Sequence, residues 1–169
     1  MCDGVSSKEN KCNDTNRTFM RQAIALSHKK MQANLGGPFG AVITKDGKVI
    51  AEGFNQVTST NDPTAHAEIT AIRAACKALN TFDLSNCQIY TSCEPCPMCL
   101  SAIYWARIDT IYYANSKEDA AAIGFDDEFL YQEIAKPIAE RSVPTHRLLK
   151  EEAITAFDDW KAKTDKIHY

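Results

Sequence analysis

Apolar positions along the chain repeat first at helical spacing and then in short runs. Apolar residues recur every three to four positions over residues 15–33, which predicts an amphipathic helix that Gly36-Gly37-Pro38 ends. Two apolar runs follow, residues 39–44 and 48–53, and Asp46-Gly47 joins them. Because Asp-Gly between apolar runs favours a tight turn, this region is predicted to be a β-hairpin.

The rest of the chain alternates predicted helices with predicted strands. The elements in order are a helix from Asn61-Asp62-Pro63, with Asp62 as its cap, through His66 to about Leu79, a strand over 86–92, a helix from about Pro95 through Trp105, and a strand over 110–114. From Glu118 onward the pattern is mostly helical, with a short strand predicted over 143–149. Strands that alternate with helices indicate an α/β layered domain with some parallel pairing.

Length and composition indicate one globular domain. The chain has 169 residues, of which 44% are hydrophobic, and it shows no internal repeat, low-complexity tract or linker. We therefore interpret residues 1–169 as a single domain. The polar residues at its start predict a flexible tail over about residues 1–13.

The charge balance argues against a polyanionic partner. The net charge is −3 and the pI is about 5.8, whereas nucleic-acid binding typically uses a basic patch. The sequence also shows no signal peptide and no apolar span long enough to cross a bilayer. Seven cysteines, an odd number, favour a reducing compartment, where neighbouring cysteines bind metal more often than they form disulfides. We therefore expect a cytoplasmic protein that binds neither nucleic acid nor membrane.

Two short motifs carry the candidate chemistry. His66-Ala67-Glu68 lies at the start of one predicted helix, and Pro95-Cys96-Pro97-Met98-Cys99 lies at the start of another. His66, Cys96 and Cys99 supply one imidazole and two thiolates, and a catalytic zinc ion typically takes three protein ligands and leaves its fourth position to water. Helix N-termini favour thiolates, because they carry partial positive charge. Glu68 is then free to move protons, which predicts a hydrolytic zinc enzyme with one Zn²⁺ in each active site.

Two other interpretations of these motifs stay open. A closed structural zinc site needs a fourth ligand, and Cys93, three residues before Cys96, is the rival candidate. Such a site would make the chain a non-catalytic zinc module. A redox Cys-x-x-C pair is the other interpretation, although it leaves His66 and Glu68 unexplained. Glu94 is interpreted as a helix-start carboxylate rather than a ligand.

The two motifs together are the signature of zinc-dependent base deaminases, and the chain resembles the cytidine-deaminase-like zinc superfamily. Within it, the chain is similar to the small bacterial-type guanine deaminases over roughly residues 15–169. The stretches that carry this resemblance are 36–42, 61–68, 91–99, Ile103-Tyr104-Trp105-Ala106-Arg107, Gly124-Phe125-Asp126-Asp127 and the terminal Tyr169. The zinc motifs point only to the superfamily, whereas Gly124–Asp127 and Tyr169 point to guanine.

The resemblance implies a three-layer α/β/α fold with a central mixed sheet, and hydrolysis of guanine to xanthine and ammonia. Zinc-activated hydroxide would attack C2, with Glu68 as the proton shuttle. By the same resemblance His66, Cys96 and Cys99 hold zinc, Asn55 and the Ala67 backbone bind the purine, and Phe39 stacks on its ring. Asp127 would contact the amidine edge and assist proton transfer, and Tyr169 would close the pocket. The resemblance further implies a homodimer that exchanges its C-terminal segments, about residues 118–169, so that Asp127 and Tyr169 would serve the partner's site.

Taken alone, the substrate residues have simpler interpretations. Asn55 suits a turn, Phe39 a core, Asp127 a helix cap, and Tyr169 a disordered end.

Guanosine and a triazine such as ammeline are alternative substrates of the same chemistry. A tRNA or single-stranded DNA base is a further alternative, which the acidic charge balance disfavours.

Overall fold

A mixed four-stranded sheet forms the centre of the fold. The computed structural model describes the backbone of residues 5–169 and the side chains of residues 13–169. The strands are β1 (Gly40–Lys45), β2 (Lys48–Phe54), β3 (Cys87–Cys93) and β4 (Thr110–Asn115), and their order in the sheet is β2-β1-β3-β4. β1 pairs antiparallel with β2 and β3, and β3 pairs parallel with β4. The predicted hairpin is confirmed, with Asp46 and Gly47 both at positive φ in its turn.

Seven helices accompany the sheet in the described part of the chain. They are α1 (Val5–Gln32), α2 (Val57–Thr60), α3 (Ala67–Leu79), α4 (Pro97–Trp105), α5 (Lys117–Ala122), α6 (Glu128–Ala135) and α7 (Lys150–Ala162), with a 3₁₀ turn over Ile138–Glu140. None of them is long and apolar enough to cross a membrane, a statement that covers the described residues only.

The side-chain alternation of β1 shows how the layers form. Ala41 and Ile43 face α3 and α4, in the larger core cluster that also contains Ala71 and Ile103. Val42 faces the opposite side and packs with residues of α1. Because successive residues of a strand point to opposite faces, one strand contributes to both cores. The three-layer α/β/α fold with a central mixed sheet is therefore confirmed.

Three predictions about helices and strands differ from the structure. α1 begins at Val5 rather than near residue 15, so the helix extends into the predicted tail, whose flexibility stays a prediction; residues 1–4 lie outside the described residues. The strand predicted over 143–149 is wrong, because that segment pairs with none of the strands described here, and a strand requires a hydrogen-bonded partner. The third difference concerns the start of α3.

The helix that carries the first motif begins later than predicted. Asp62 does not cap it; instead Oδ1 of Asp62 accepts hydrogen bonds from the N–H and the hydroxyl of Thr64, at 2.8 and 2.7 Å. This local side-chain turn ends before the helix, so α3 starts at Ala67 and His66 occupies the N-cap position. The change moves His66 from the first turn to the residue that precedes it.

Backbone contacts divide the chain into two units, one ending at Asp127 and the other spanning Glu128–Tyr169. The boundary lies after α5, later than residue 118, where the predicted C-terminal segment begins. The first unit contains the sheet and both predicted zinc motifs. The second contains α6, the 3₁₀ turn and α7, and none of its residues is buried. That residues 1–169 act as a single deaminase domain stays a prediction.

Gly53 determines how closely α3 lies on the sheet. A Cβ atom on this glycine would stand 2.2 Å from the Ala67 carbonyl oxygen and 2.4 Å from the Ala71 backbone nitrogen. Both atoms belong to the helix backbone, which cannot rotate away as a flexible side chain does. The absence of a side chain at Gly53 therefore places the first turn of α3, and the motif it carries, directly against β2.

We expect Gly53→Ala to displace α3 and to destabilise the protein by about 1–3 kcal/mol, the usual cost of overpacking. Chemical denaturation of the variant would measure the loss. Glu52→Ala, an exposed position on the same strand, is the matched control and should change stability by less than about 0.5 kcal/mol. Equal stability of both variants would contradict the close approach of α3.

Candidate active site

The N-termini of α3 and α4 meet at one point. His66 is the N-cap residue of α3 and Cys96 is the N-cap residue of α4, and both have extended backbone angles. Neither side chain makes the hydrogen bond by which an N-cap usually satisfies its own helix. Both side chains turn instead toward each other. Cys99, in the first turn of α4, joins them.

The three side chains fit a zinc ion. Nδ1 of His66 lies 3.6 Å from Sγ of Cys96 and 3.5 Å from Sγ of Cys99. A tetrahedral zinc with Zn–S of about 2.3 Å and Zn–N of about 2.0–2.1 Å separates a nitrogen and a sulfur ligand by about 3.6 Å. All three ligand atoms lie within 4.8 Å of one another, and theirs is the one such group among the described residues. The predicted ligand set is therefore brought together, with Nδ1 as the nitrogen that points into it.

Glu68 lies buried beside this group. It occupies the first turn of α3, two residues after His66, and only 7% of its surface is exposed. Burial raises the pKa of its carboxyl, and the negative charge of Cys96 adds to the rise. The thiol of Cys99 lies within its hydrogen-bonding reach. A carboxyl with a raised pKa beside a metal site is suited to accepting and releasing protons near neutral pH.

The pKa values of the two cysteines of the group are shifted in opposite directions. The hydrogen bond from Cys99 lowers the pKa of Cys96 to about 4, and His66 contributes to the decrease. The same hydrogen bond, together with burial, raises the pKa of Cys99. The hydrogen bond to Cys96 also raises the pKa of His66. Zinc must therefore displace protons from the site, as metal binding to thiols does in general.

Cys93 and Glu94 do not belong to the ligand group. The Cys93 thiol donates to the Ser116 carbonyl at 3.5 Å, and burial raises its pKa to about 11, so that it stays protonated. Oε2 of Glu94 accepts the Lys117 N–H at 3.2 Å, at the first residue of α5. Glu94 is thus a helix-start carboxylate, but for α5 rather than for α4. Three ligands without Cys93 favour an open catalytic site over a closed structural one.

Asn55 presents its amide nitrogen near the end of β2. Its Oδ1 accepts the N–H groups of Gly37 and Val57, each at 3.3 Å. The Asn55 N–H donates to the Phe39 carbonyl at 3.1 Å. These contacts fix the amide orientation, because Oδ1 is held by two donors and Nδ2 makes no hydrogen bond with the described residues. The turn interpretation and a binding role are both compatible with this buried amide.

Two aromatic rings and a glycine form a wall next to Asn55. The Phe39 and Phe125 rings pack edge to face, with centroids 4.9 Å apart and planes at 87°. A Cβ atom on Gly37 would lie 3.3–3.4 Å from both rings. Phe39 also packs against the larger core, so its interpretation as a core residue is partly correct. The sequence predicts no function for Phe125 itself, because the resemblance involves the stretch Gly124–Asp127 as a whole.

The remaining predicted site residues, Ala67, Asp127 and Tyr169, differ in their burial. Ala67 is buried at the first position of α3, with its neighbours His66 and Glu68. Asp127 is half-buried; burial raises the pKa of its carboxyl, with a further contribution from the nearby Cys96 thiolate. Tyr169 belongs to the second unit and is 72% exposed. Trp105, at the end of α4, is 69% exposed.

The fold and this site define a zinc-dependent deaminase. The family described as the cytidine and deoxycytidylate deaminase zinc-binding region matches residues 13–115, and the chain belongs to that family. It is 53% identical to guanine deaminase from Bacillus subtilis over 152 residues, which are 90% of this chain and 97% of that protein.

Solved structures and other relatives agree with this placement. The X-ray structure of Bacillus subtilis guanine deaminase superimposes with a TM-score of 0.89 over 90% of this chain and 98% of that one. A tRNA-specific adenosine deaminase from Aquifex aeolicus is 44% identical, but over only 54% of this chain and 61% of that protein. The similarity to the guanine deaminase thus extends over most of the chain, including segments beyond the zinc-binding region.

We expect Cys93→Ser to retain about one zinc ion per chain, because Cys93 lies outside the ligand group. The matched variant Cys99→Ser should lose most of its zinc, because a hydroxyl replaces a thiolate ligand. Metal analysis of the two purified proteins measures the difference. Loss of zinc in Cys93→Ser alone would identify a closed four-ligand site.

Proposed function

We propose that the protein hydrolyses guanine to xanthine and ammonia. The observation that carries the proposal is the three-ligand group of His66, Cys96 and Cys99 with a buried Glu68 beside it. The 53% identity to a guanine deaminase over 90% of the chain supports the choice of base. The overall reaction adds one water to guanine and releases one ammonia, so its atoms balance.

His66, Cys96 and Cys99 hold the zinc ion. When bound, zinc acts as a Lewis acid and lowers the pKa of a water molecule toward about 7. The protein prepares the ligands by placing both cysteines at the N-terminus of α4, where the helix dipole stabilises thiolates.

Glu68 moves the protons of the reaction. It takes one proton from the attacking water and delivers it to N3 of the ring as the C2–O bond forms. It then transfers the second proton of that oxygen to the 2-amino group, which leaves as ammonia when the C2–N bond breaks. Its burial beside the ligand group supports this role, because a shielded carboxyl exchanges protons with the substrate rather than with bulk water.

Asn55, Phe39 and the Ala67 backbone bind the purine. Oδ1 of Asn55 accepts the N–H groups of Gly37 and Val57, so the Nδ2 group points away from these donors. Nδ2 can therefore donate to a ring nitrogen or to the carbonyl of the base. Phe39 stacks on the purine and is itself supported by Phe125. The position of Ala67 at the first residue of α3 brings its backbone next to Glu68.

Asp127 recognises the amidine edge of guanine and assists the leaving amine. A carboxylate that accepts hydrogen bonds suits N1–H and the 2-amino group, and a site built around such donors rejects analogues that lack them. The electrostatic effect of Cys96 on Asp127 supports a position near the metal ligands of the same chain, so that only Tyr169 is assigned to the partner's site.

The exposed apolar side chains of the second unit support a homodimer in which the two chains exchange their C-terminal segments. In this dimer Tyr169 closes the site. Large apolar side chains of this unit are exposed in the isolated chain, Leu148 at 80% and Phe157 at 74% among them. An exposed apolar surface on a segment without buried residues requires a partner, and we infer that a second copy of the chain covers it. The thiolate ligands also fit a reducing compartment such as the cytoplasm.

We expect Glu68→Gln to lower guanine turnover by at least about a hundredfold while zinc stays bound, because general acid–base groups contribute on that scale. Ammonia release and metal content would be measured on the same preparation. Glu52→Gln, which neutralises an exposed carboxylate, is the control and should keep full activity. Zinc loss in Glu68→Gln would mean that Glu68 is a ligand and not the proton shuttle.

Asp127→Ala should decrease kcat/KM for guanine by about tenfold or more, since a hydrogen-bonding partner of the substrate is removed. Zinc content should not change. Asp126→Ala, one residue earlier, provides the comparison and should have the smaller effect. Unchanged kcat/KM in Asp127→Ala would contradict the role of Asp127 in recognising the amidine edge.

Complementation tests the exchange of segments. Glu68→Gln and Tyr169→Ala chains are each expected to be impaired alone. If segments are exchanged, a mixed dimer contains one site that combines an intact Glu68 with an intact Tyr169 from the other chain. Co-expressed variants should then exceed the summed activity of the separate ones. A monomeric mass of 18.8 kDa, or no gain on mixing, would contradict the exchanged dimer.

A further inference from the structure

The loop between β3 and α4 is attached to the segment that begins α5. The Glu94 N–H donates to the Asn115 carbonyl at 2.8 Å, Oε2 of Glu94 accepts the Lys117 N–H at 3.2 Å, and the Cys93 thiol donates to the Ser116 carbonyl at 3.5 Å. Asn115, Ser116 and Lys117, which lead into α5, are therefore hydrogen-bonded to Cys93 and Glu94. These two residues directly precede the zinc-binding motif. The Glu94 carboxylate provides the charged contact of the three.

The contact with Glu94 satisfies a donor that α5 cannot satisfy itself. Ser116 and Asp119 form a capping box, in which each side chain accepts the backbone N–H of the other. The N–H of Lys117, at the first position of the helix, has no acceptor within the helix and is bound by Glu94. A carboxylate also interacts favourably with the positive end of the helix. Glu94 thus connects α5 to the zinc-binding loop.

The segment from Lys117 to Asp127 is short and internally hydrogen-bonded. After α5 ends at Ala122, the N–H groups of Gly124 and Phe125 donate to carbonyls of that helix, each at 3.0 Å. Gly124 reverses the chain with φ of +91°, a conformation that side chains disfavour. The Phe125 ring then packs on Phe39. A shift at the start of α5 therefore moves Asp127.

We propose that Glu94 is a positioning residue for Asp127. Glu94 holds the start of α5 at a fixed place relative to the zinc ligands, and α5 with its C-terminal turn carries that placement to the Asp127 carboxylate. The inference rests on the proposed function, in which Asp127 contacts guanine. It assigns Glu94 neither to the metal nor to the substrate.

A double-mutant cycle tests the inference on the full-length zinc enzyme. The four proteins are the unaltered chain, Glu94→Ala, Asp127→Ala and the double variant, each assayed for kcat/KM with guanine and for zinc content. We expect Glu94→Ala to lower kcat/KM about tenfold with zinc retained, as loss of a supporting partner does. In the Asp127→Ala background the same change should have an effect of about twofold or less, because residues that act through each other are not additive.

Three results would overturn the inference and are distinguishable. An equal loss from Glu94→Ala in both backgrounds would show that it acts by another route. Loss of zinc in Glu94→Ala would show that it acts through the metal. Normal kcat/KM in Asp127→Ala would reject the role of Asp127 on which this inference rests, whereas only the absence of guanine turnover in the unaltered chain would reject the proposed function.

A backbone variant gives an independent test that leaves the Glu94 side chain in place. Lys117→Pro removes the N–H that Glu94 accepts, and the first position of a helix tolerates proline. Ser116, which precedes it, already has the extended conformation that proline requires, with ψ of 171°. Lys117→Ala keeps the N–H and is the matched control.

We expect Lys117→Pro to show a kcat/KM about tenfold below that of Lys117→Ala. Glu94→Gln, which retains an acceptor oxygen, should recover most of the activity lost in Glu94→Ala. Equal activity of the two Lys117 variants would overturn the inference, even if Glu94→Ala fails to fold.

Discussion

The site depends on the convergence of two helix N-termini on one metal position. His66 and Cys96 are N-cap residues that leave their own helices without a side-chain cap and direct their ligand atoms into the space between α3 and α4. A missing cap typically costs about 1 kcal/mol. Bound zinc offsets this cost, because metal binding contributes far more to the folded state. The same N-termini favour the thiolates that zinc requires.

The sheet, and Gly53 within it, determine where α3 and α4 meet. Gly53 allows the backbone of α3 to contact β2, and β3, which ends at Cys93, leads directly into the loop that carries Glu94. That loop binds the start of α5, whose C-terminal turn ends beside the aromatic pair. The metal-ligand group, the carboxyl proposed to transfer protons and the candidate substrate residues of the first unit are thus connected through short, hydrogen-bonded segments. An arrangement of this kind suits catalysis, which requires reacting groups at fixed distances.

The sequence predicted the architecture better than the boundaries. Strand and helix spacing, the Asp46-Gly47 turn and the two zinc motifs were sufficient for a layered α/β fold and for the ligand set. The start of α3 was wrong, because Asp62 and Thr64 form a local turn that resembles a capping signal. The strand predicted over 143–149 was wrong, because an apolar pattern does not provide a pairing partner. Contacts between distant residues, such as Phe39 with Phe125 or Glu94 with Lys117, have no signature in spacing and needed the structure.

The zinc chemistry and the choice of substrate rest on different evidence. The ligand distances and the separate hydrogen bond of Cys93 carry the first, whereas the second depends on Asn55, Phe39, Asp127 and the similarity to a guanine deaminase. Ammonia release by the zinc-loaded enzyme from guanine, guanosine, ammeline, adenine and cytosine, measured side by side, tests the account most directly. The account predicts that guanine has the highest kcat/KM of the five. Preference for guanosine, ammeline or another base, or no release from any of them, would contradict it.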